Sequence, residues 1–210
     1  MTGNNSKSYG PMLAKIISVV FHPILMPLYG LLVIFFTPTI LAYLPPAAKR
    51  ILFLIVLIDN VIIPLSLIPY LRYRNIITSW AISERKERVL PLIITSLLYA
   101  FTVYLLHRFS IPFFIKSFTL ATLIVSVSLT LVNFRWKISI HSAGMGGLIS
   151  LIVVLSLKMH VSLIGCLIGA ILLAGIVMTS RLYLKSHSPA EVWSGFFLGL
   201  LVSGAVLVIL

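Results

Sequence analysis

Apolar residues run along this chain in blocks far longer than a soluble helix or strand requires. Seven blocks stand out, roughly Leu13–Phe36, Ile51–Tyr70, Val89–His107, Phe113–Phe134, Ala143–Leu157, Val161–Thr179 and Val192–Leu210. A helix crosses the hydrocarbon core of a bilayer with about 20 predominantly apolar residues. The pattern therefore predicts an all-α fold, a polytopic transmembrane helix bundle of about six to seven spans. The fifth block is short, which predicts a tilted or half-buried helix. Breakers and polar residues fall between the blocks: Pro38 and Leu44-Pro45-Pro46 after the first, a tight turn from His107 to Pro112, and another at Lys158-Met159-His160. No internal repeat is visible.

Composition agrees with this reading. Of the 210 residues, 60% are hydrophobic, against about 45–50% in soluble domains, and the mean hydropathy is +1.15. Residues 1–12 read as a polar N-terminal tail and 13–210 as a single transmembrane domain, its first block being a retained span rather than a signal peptide. Cys166, the single cysteine, lies in an apolar run and reads as a small packing residue. The formal charge of +12 rests on only four acidic residues. In a membrane protein such an excess belongs to loops near anionic headgroups, and no soluble module is present to read a nucleic acid.

If each span crosses once, the N-terminus and the 71–88, 135–142 and 180–191 loops share one face. That face holds eleven Lys and Arg residues against five on the other, which favours a cytoplasmic placement. Set aside the six that a phosphate would recruit (Arg85, Lys86, Arg88, Arg135, Lys137, Arg181), and the count is even. The side of the membrane therefore stays open.

The chemistry concentrates in Ser180-Arg181-Leu-Tyr-Leu-Lys-Ser-His187-Ser-Pro-Ala-Glu191. Arg181 offers a planar fork suited to phosphate oxygens. His187 is a candidate nucleophile, and Glu191, one helical turn on, is placed to hold its second ring nitrogen. Ser188-Pro189-Ala190-Glu191 is also a capping box, so Glu191 has a structural role available that does not exclude the first.

The spacing S-R-x5-H-x3-E resembles the third signature motif of the type 2 phosphatidic acid phosphatase superfamily, where the last residue is aspartate. Ser139-Ile140-His141 resembles the second motif, P-S-G-H, with isoleucine in place of its proline and glycine. Ser83-Glu84-Arg85-Lys86-Glu87-Arg88-Val89-Leu90-Pro91 stands where the first motif, K-x6-R-P, is expected, with different spacing. The resemblance spans about half the chain, from Ser83 to Gly199. It implies an integral membrane lipid phosphatase, by analogy in a bacterial inner membrane, hydrolysing a phosphomonoester or diphosphate on a lipid through a phosphohistidine. The lipid would be an isoprenoid diphosphate, a phosphatidyl phosphate or a lipid A phosphate.

By the same resemblance His187 attacks, Glu191 orients it and His141 protonates the leaving oxygen. Arg181, Ser139, Arg88, Lys86, Arg85 and Ser180 would bind the phosphate. No cofactor or metal is implied, and the carboxylates Asp59, Glu84, Glu87 and Glu191 are too few and too scattered for a two-metal site. The expected partners are the lipid phosphate and membrane lipids, with the oligomeric state open. A phosphotransferase of the same superfamily is the related alternative. The alternative of a different class is a non-catalytic lipid-binding or transport protein, for which Asp59, beside Asn60 in the second block, is the main support. His22-Pro23 in the first block predicts a helix kink, either structural or opening a lipid portal.

Overall fold

The computed structural model describes residues 10–79, 82 and 84–210. It is all-helical among these residues, and seven helical segments are long and apolar enough to cross a membrane. The chain is thus an integral membrane protein by architecture. Residues 1–9, 80, 81 and Ser83 lie outside the described residues, and Gly10, Pro11 and Met12, read from the sequence as the end of the polar tail, belong to the first helix.

The first span, Gly10–Phe36, is two helices. Helix α1 (Gly10–Val20) ends where His22 turns extended, at φ −64° and ψ 136°. The residue before a proline is pushed out of the helical region, and Pro23 makes His22 such a residue. A single 3-10 turn at Pro23–Leu25 leads into α2 (Met26–Phe36).

The second span, Pro46–Tyr73, contains α3 (Pro46–Leu57), a π turn at Ile58–Ile62 and α4 (Ile63–Tyr73). Pro64 lacks the N–H that Asn60 would receive in a regular helix, which explains a widened turn here. Asp59 and Asn60 lie buried in that turn, answered by Thr102 Oγ1 at 3.3 Å and 2.9 Å respectively.

The remaining spans are single helices: α5 (Arg85–His107), α6 (Phe113–Asn133), α7 (Ile140–Met159), α8 (Ile164–Tyr183) and α9 (Pro189–Ile209). The fifth block is longer than its apolar residues suggested. Ser139 caps α7 from outside the apolar run, so Ile140-His141-Ser142 joins the helix, which with Lys158 and Met159 at its other end reaches 20 residues. The core gathers Leu31, Ile34, Leu151, Leu155, Val177 and Leu207. Outward faces carry exposed apolar side chains such as Ile16, Leu97, Leu172 and Leu201, as expected of helices solvated by lipid tails.

The most extensive helix pairing joins α7 to α9. It depends on small residues. Gly195 packs against the Ser139 backbone and Gly199 against that of Ala143, at distances no Cβ would fit. Without a hydrophobic drive between helices in lipid, such close backbone approach supplies the packing. It also fixes the start of α9, with His187 and Glu191 beside it, against the start of α7, with His141.

Candidate active site

Four helix ends meet around one cavity of about 810 Å³. Arg88 comes from the start of α5, His141 from the start of α7, Arg181 from the end of α8, and His187 from the turn before α9. The shared face expected from the span count thus becomes a shared cavity for these residues. Its depth is apolar, lined by Leu67, Tyr99, Phe118 and Leu151 among others.

The turn that presents His187 is built by local rules. The N–H of Ser186 returns to the Arg181 carbonyl at 3.2 Å and that of Lys185 to Leu182 at 2.9 Å, with Lys185 left-handed at φ 51°. This pairing terminates α8 as a Schellman motif. Two residues later Ser188 begins α9 with a full capping box: its hydroxyl accepts the Glu191 N–H and its own N–H goes to the Glu191 carboxylate, both at 3.3 Å. His187 is held between a C-cap and an N-cap.

His187 Nδ1 lies 2.8 Å from Glu191 Oε2, and its side chain is only 1% exposed. A carboxylate can only accept, so Nδ1 carries the proton and Nε2 keeps its lone pair. Burial foremost lowers the pKa of His187, to about 4. Arg88 and Arg181 push it the same way, while the bond to Glu191 opposes them. The imidazole is neutral at physiological pH, the form a nucleophile requires.

The two arginines face the same space. Arg88 is buried, with Nε anchored on the Ile82 carbonyl at 2.8 Å. Arg181 donates from Nη1 to Ser18 Oγ at 3.1 Å, and its buried Nε has no hydrogen-bond partner among the described residues. Each guanidinium lies within the electrostatic reach of the other. One buried and one half-buried guanidinium, with an unpaired buried donor on the second, make a receptive environment for an anion.

His141 donates from Nε2 to the Ser18 carbonyl at 3.1 Å, because a carbonyl can only accept. Its ring stands edge-on to His22, with centroids 5.3 Å apart. His22 Nδ1 accepts the Ile24 N–H at 3.3 Å, so it caps the turn after the helix break.

Other expected phosphate ligands sit elsewhere. Ser139 is fully buried as the N-cap of α7, bonded to the Ser142 hydroxyl at 2.9 Å, and is not among the cavity-lining residues. Ser180 Oγ turns back to the Ile176 carbonyl of its own helix at 2.8 Å. Arg85 reaches the carbonyls of Asn133 and Phe134, and Asn133 Nδ2 answers on the Arg85 carbonyl at 3.1 Å. It therefore ties α5 to the end of α6. Lys86 is exposed and outside the cavity, because successive residues on a helix point about 100° apart. Of the two cations before α7, Lys137 lines the cavity and Arg135 does not, and the cavity gains Ser18 and His22 from the first span with Lys15 and Lys185. The sequence singled out His22-Pro23 as a break but carried no sign of Ser18.

Among the described residues no group of three or more His, Cys, Asp or Glu side chains is placed to share a metal ion. Compared with known protein families, curated proteins and solved structures, the chain matches none.

Proposed function

We propose that this protein is an integral membrane phosphatase that acts on a lipid phosphate through a phosphohistidine at His187. The observation that carries the reading is the His187–Glu191 pair at 2.8 Å in a cavity shared with Arg88 and Arg181. A buried imidazole with one nitrogen held by a carboxylate and the other without a partner among the described residues, beside two guanidiniums, is an arrangement for attack on phosphorus. The long apolar extension of the same cavity suits a lipid tail, and the charged end suits its headgroup.

In this mechanism His187 Nε2 attacks phosphorus and the bond to the leaving oxygen breaks. His141, protonated at Nδ1 for this step, keeps Nε2–H on Ser18 and gives the Nδ1 proton to that oxygen. Water then attacks the phosphohistidine, its proton passes to His141, and the P–N bond breaks to release inorganic phosphate. Arg88 and Arg181 hold the charge that builds on the phosphoryl oxygens. By resemblance the setting is a bacterial inner membrane.

The test is phosphate release by purified protein in mixed micelles containing lipid monophosphates and diphosphates, with EDTA present. Release by the wild type that disappears in His187→Ala supports the reading. Equal release by His187→Ala overturns the mechanism, and a wild type that releases nothing from any lipid phosphate points to a non-catalytic lipid-binding protein.

A further inference from the structure

The first span takes no part in the motifs read from the sequence, yet its broken end touches both His141 and Arg181. In an uninterrupted helix the Ser18 carbonyl receives the N–H of His22. Here His22, forced extended before Pro23, gives its N–H to Val19 at 3.2 Å instead. The Ser18 carbonyl is left without its helical donor, and His141 Nε2 takes it at 3.1 Å. A helix end leaves orphan carbonyls that need outside donors, and this one is answered by a cavity histidine 123 residues away. The Ser18 hydroxyl, on the same buried residue, receives Arg181 Nη1 at 3.1 Å.

We infer that Ser18 is a positioning residue of the site, its carbonyl freed by the Pro23 break to orient His141 and its hydroxyl anchoring Arg181. The inference rests on the phosphatase reading. It gives the two histidines parallel designs: Glu191 holds Nδ1 of His187 and Ser18 holds Nε2 of His141, and among the described residues the other nitrogen of each ring has no hydrogen-bond partner. A ring nitrogen fixed by an acceptor sets both tautomer and orientation.

The two halves of Ser18 separate kinetically. Pro23→Ala lets the helix continue, returns the His22 N–H to the Ser18 carbonyl and releases His141. It is expected to lower kcat by about 10²-fold with KM within twofold. Ser18→Ala keeps the carbonyl and removes the hydroxyl, so KM for the lipid phosphate is expected to rise about tenfold, with kcat changed far less. Pro69→Ala, an exposed proline inside α4, controls for proline removal and is expected to behave as wild type. Steady-state kinetics on micellar lipid phosphate, with thermal melting as the folding check, reads all three. Wild-type kcat in folded Pro23→Ala overturns the inference. If that variant does not fold, unchanged KM in Ser18→Ala overturns it. His187→Ala run alongside separates the cases: full activity there defeats the phosphatase reading itself, whereas an inactive His187→Ala with unaffected Pro23→Ala and Ser18→Ala defeats only the role of Ser18.

Discussion

Glu191 Oε2 serves His187 and the helix at once, lying 2.8 Å from His187 Nδ1 and 3.3 Å from the Ser188 backbone nitrogen. A carboxylate oxygen has two lone pairs, so the capping and orienting roles do not compete. The coupling makes local sense. The cap fixes the first turn of α9, and fixing that turn places the carboxylate under the imidazole.

The two roles come apart in Glu191→Gln. Glutamine at the third helical position still completes a capping box, so melting temperature is expected to stay near that of wild type. The amide loses the negative charge that holds the Nδ1 proton and stabilises the imidazolium as proton flow proceeds. Phosphate release is expected to fall by roughly 10²-fold or more. Glu191→Ala removes both functions and is expected to lose about 0.5–2 kcal/mol of stability as well. A Glu191→Gln protein that melts early but turns over normally would leave only the cap.

His187 also predicts a pH dependence of stability. Its pKa in the folded protein is about 4, lowered mainly by burial, against an ordinary value of 6.5. Between those values the unfolded chain binds more protons at this site than the folded one. Stability is therefore fully present above 6.5 and declines as pH falls toward 4. Thermal melting in micelles from pH 7.5 to pH 4.5 is expected to show this decline, and His187→Asn is expected to show a shallower one. Identical slopes would mean that the imidazole is not held neutral in the fold.

The spans were legible because bilayer thickness imposes a length on apolar runs, and a run such as Phe113–Phe134 reports it directly. The 180–191 stretch was legible because its partners are neighbours on one turn, His187 and Glu191 being four apart. The 83–91 cluster was only half legible. Arg88 lines the cavity, but whether Arg85 shares it depends on which face of α5 packs against the end of α6, a tertiary contact that no local pattern encodes. Ser139 looked like a ligand because a serine near a helix start fits a phosphate site and an N-cap equally well. Ser18 was illegible: its role comes from a main-chain carbonyl, and its partners are 123 and 163 residues distant.

Three basic residues within four positions thus receive three different expectations. Arg88→Gln removes a buried cation from the cavity and is expected to lower kcat/KM by 10²-fold or more. Arg85→Gln loosens the tie between α5 and α6 and is expected to lower stability by about 1 kcal/mol, with activity at temperatures below melting largely retained. Lys86→Gln is expected to change neither. Thermal melting and phosphate release on the three proteins decide the matter, and an activity loss in Lys86→Gln equal to that in Arg88→Gln would contradict the placement of these side chains.

The glycines of α9 and α8 make an opposite pair. A methyl group at Gly199 would overlap the Ala143 carbonyl oxygen across the α7–α9 contact, and backbone cannot step aside as a flexible side chain does. Gly199→Ala is expected to force the helices apart, at a cost of about 1–3 kcal/mol or more. Because that contact also sets His141 against His187, activity is expected to fall even in protein that remains folded, by about 10²-fold for a displacement near 1 Å. Gly175 in α8 has nothing within 4 Å of the same added methyl. Gly175→Ala is expected to be neutral or to stabilise by up to about 1 kcal/mol through helix propensity, with activity intact. Melting curves and turnover of the two variants, measured side by side in the same micelles, test whether the α7–α9 contact is what holds the two histidines in register. Full activity in folded Gly199→Ala would show that it is not.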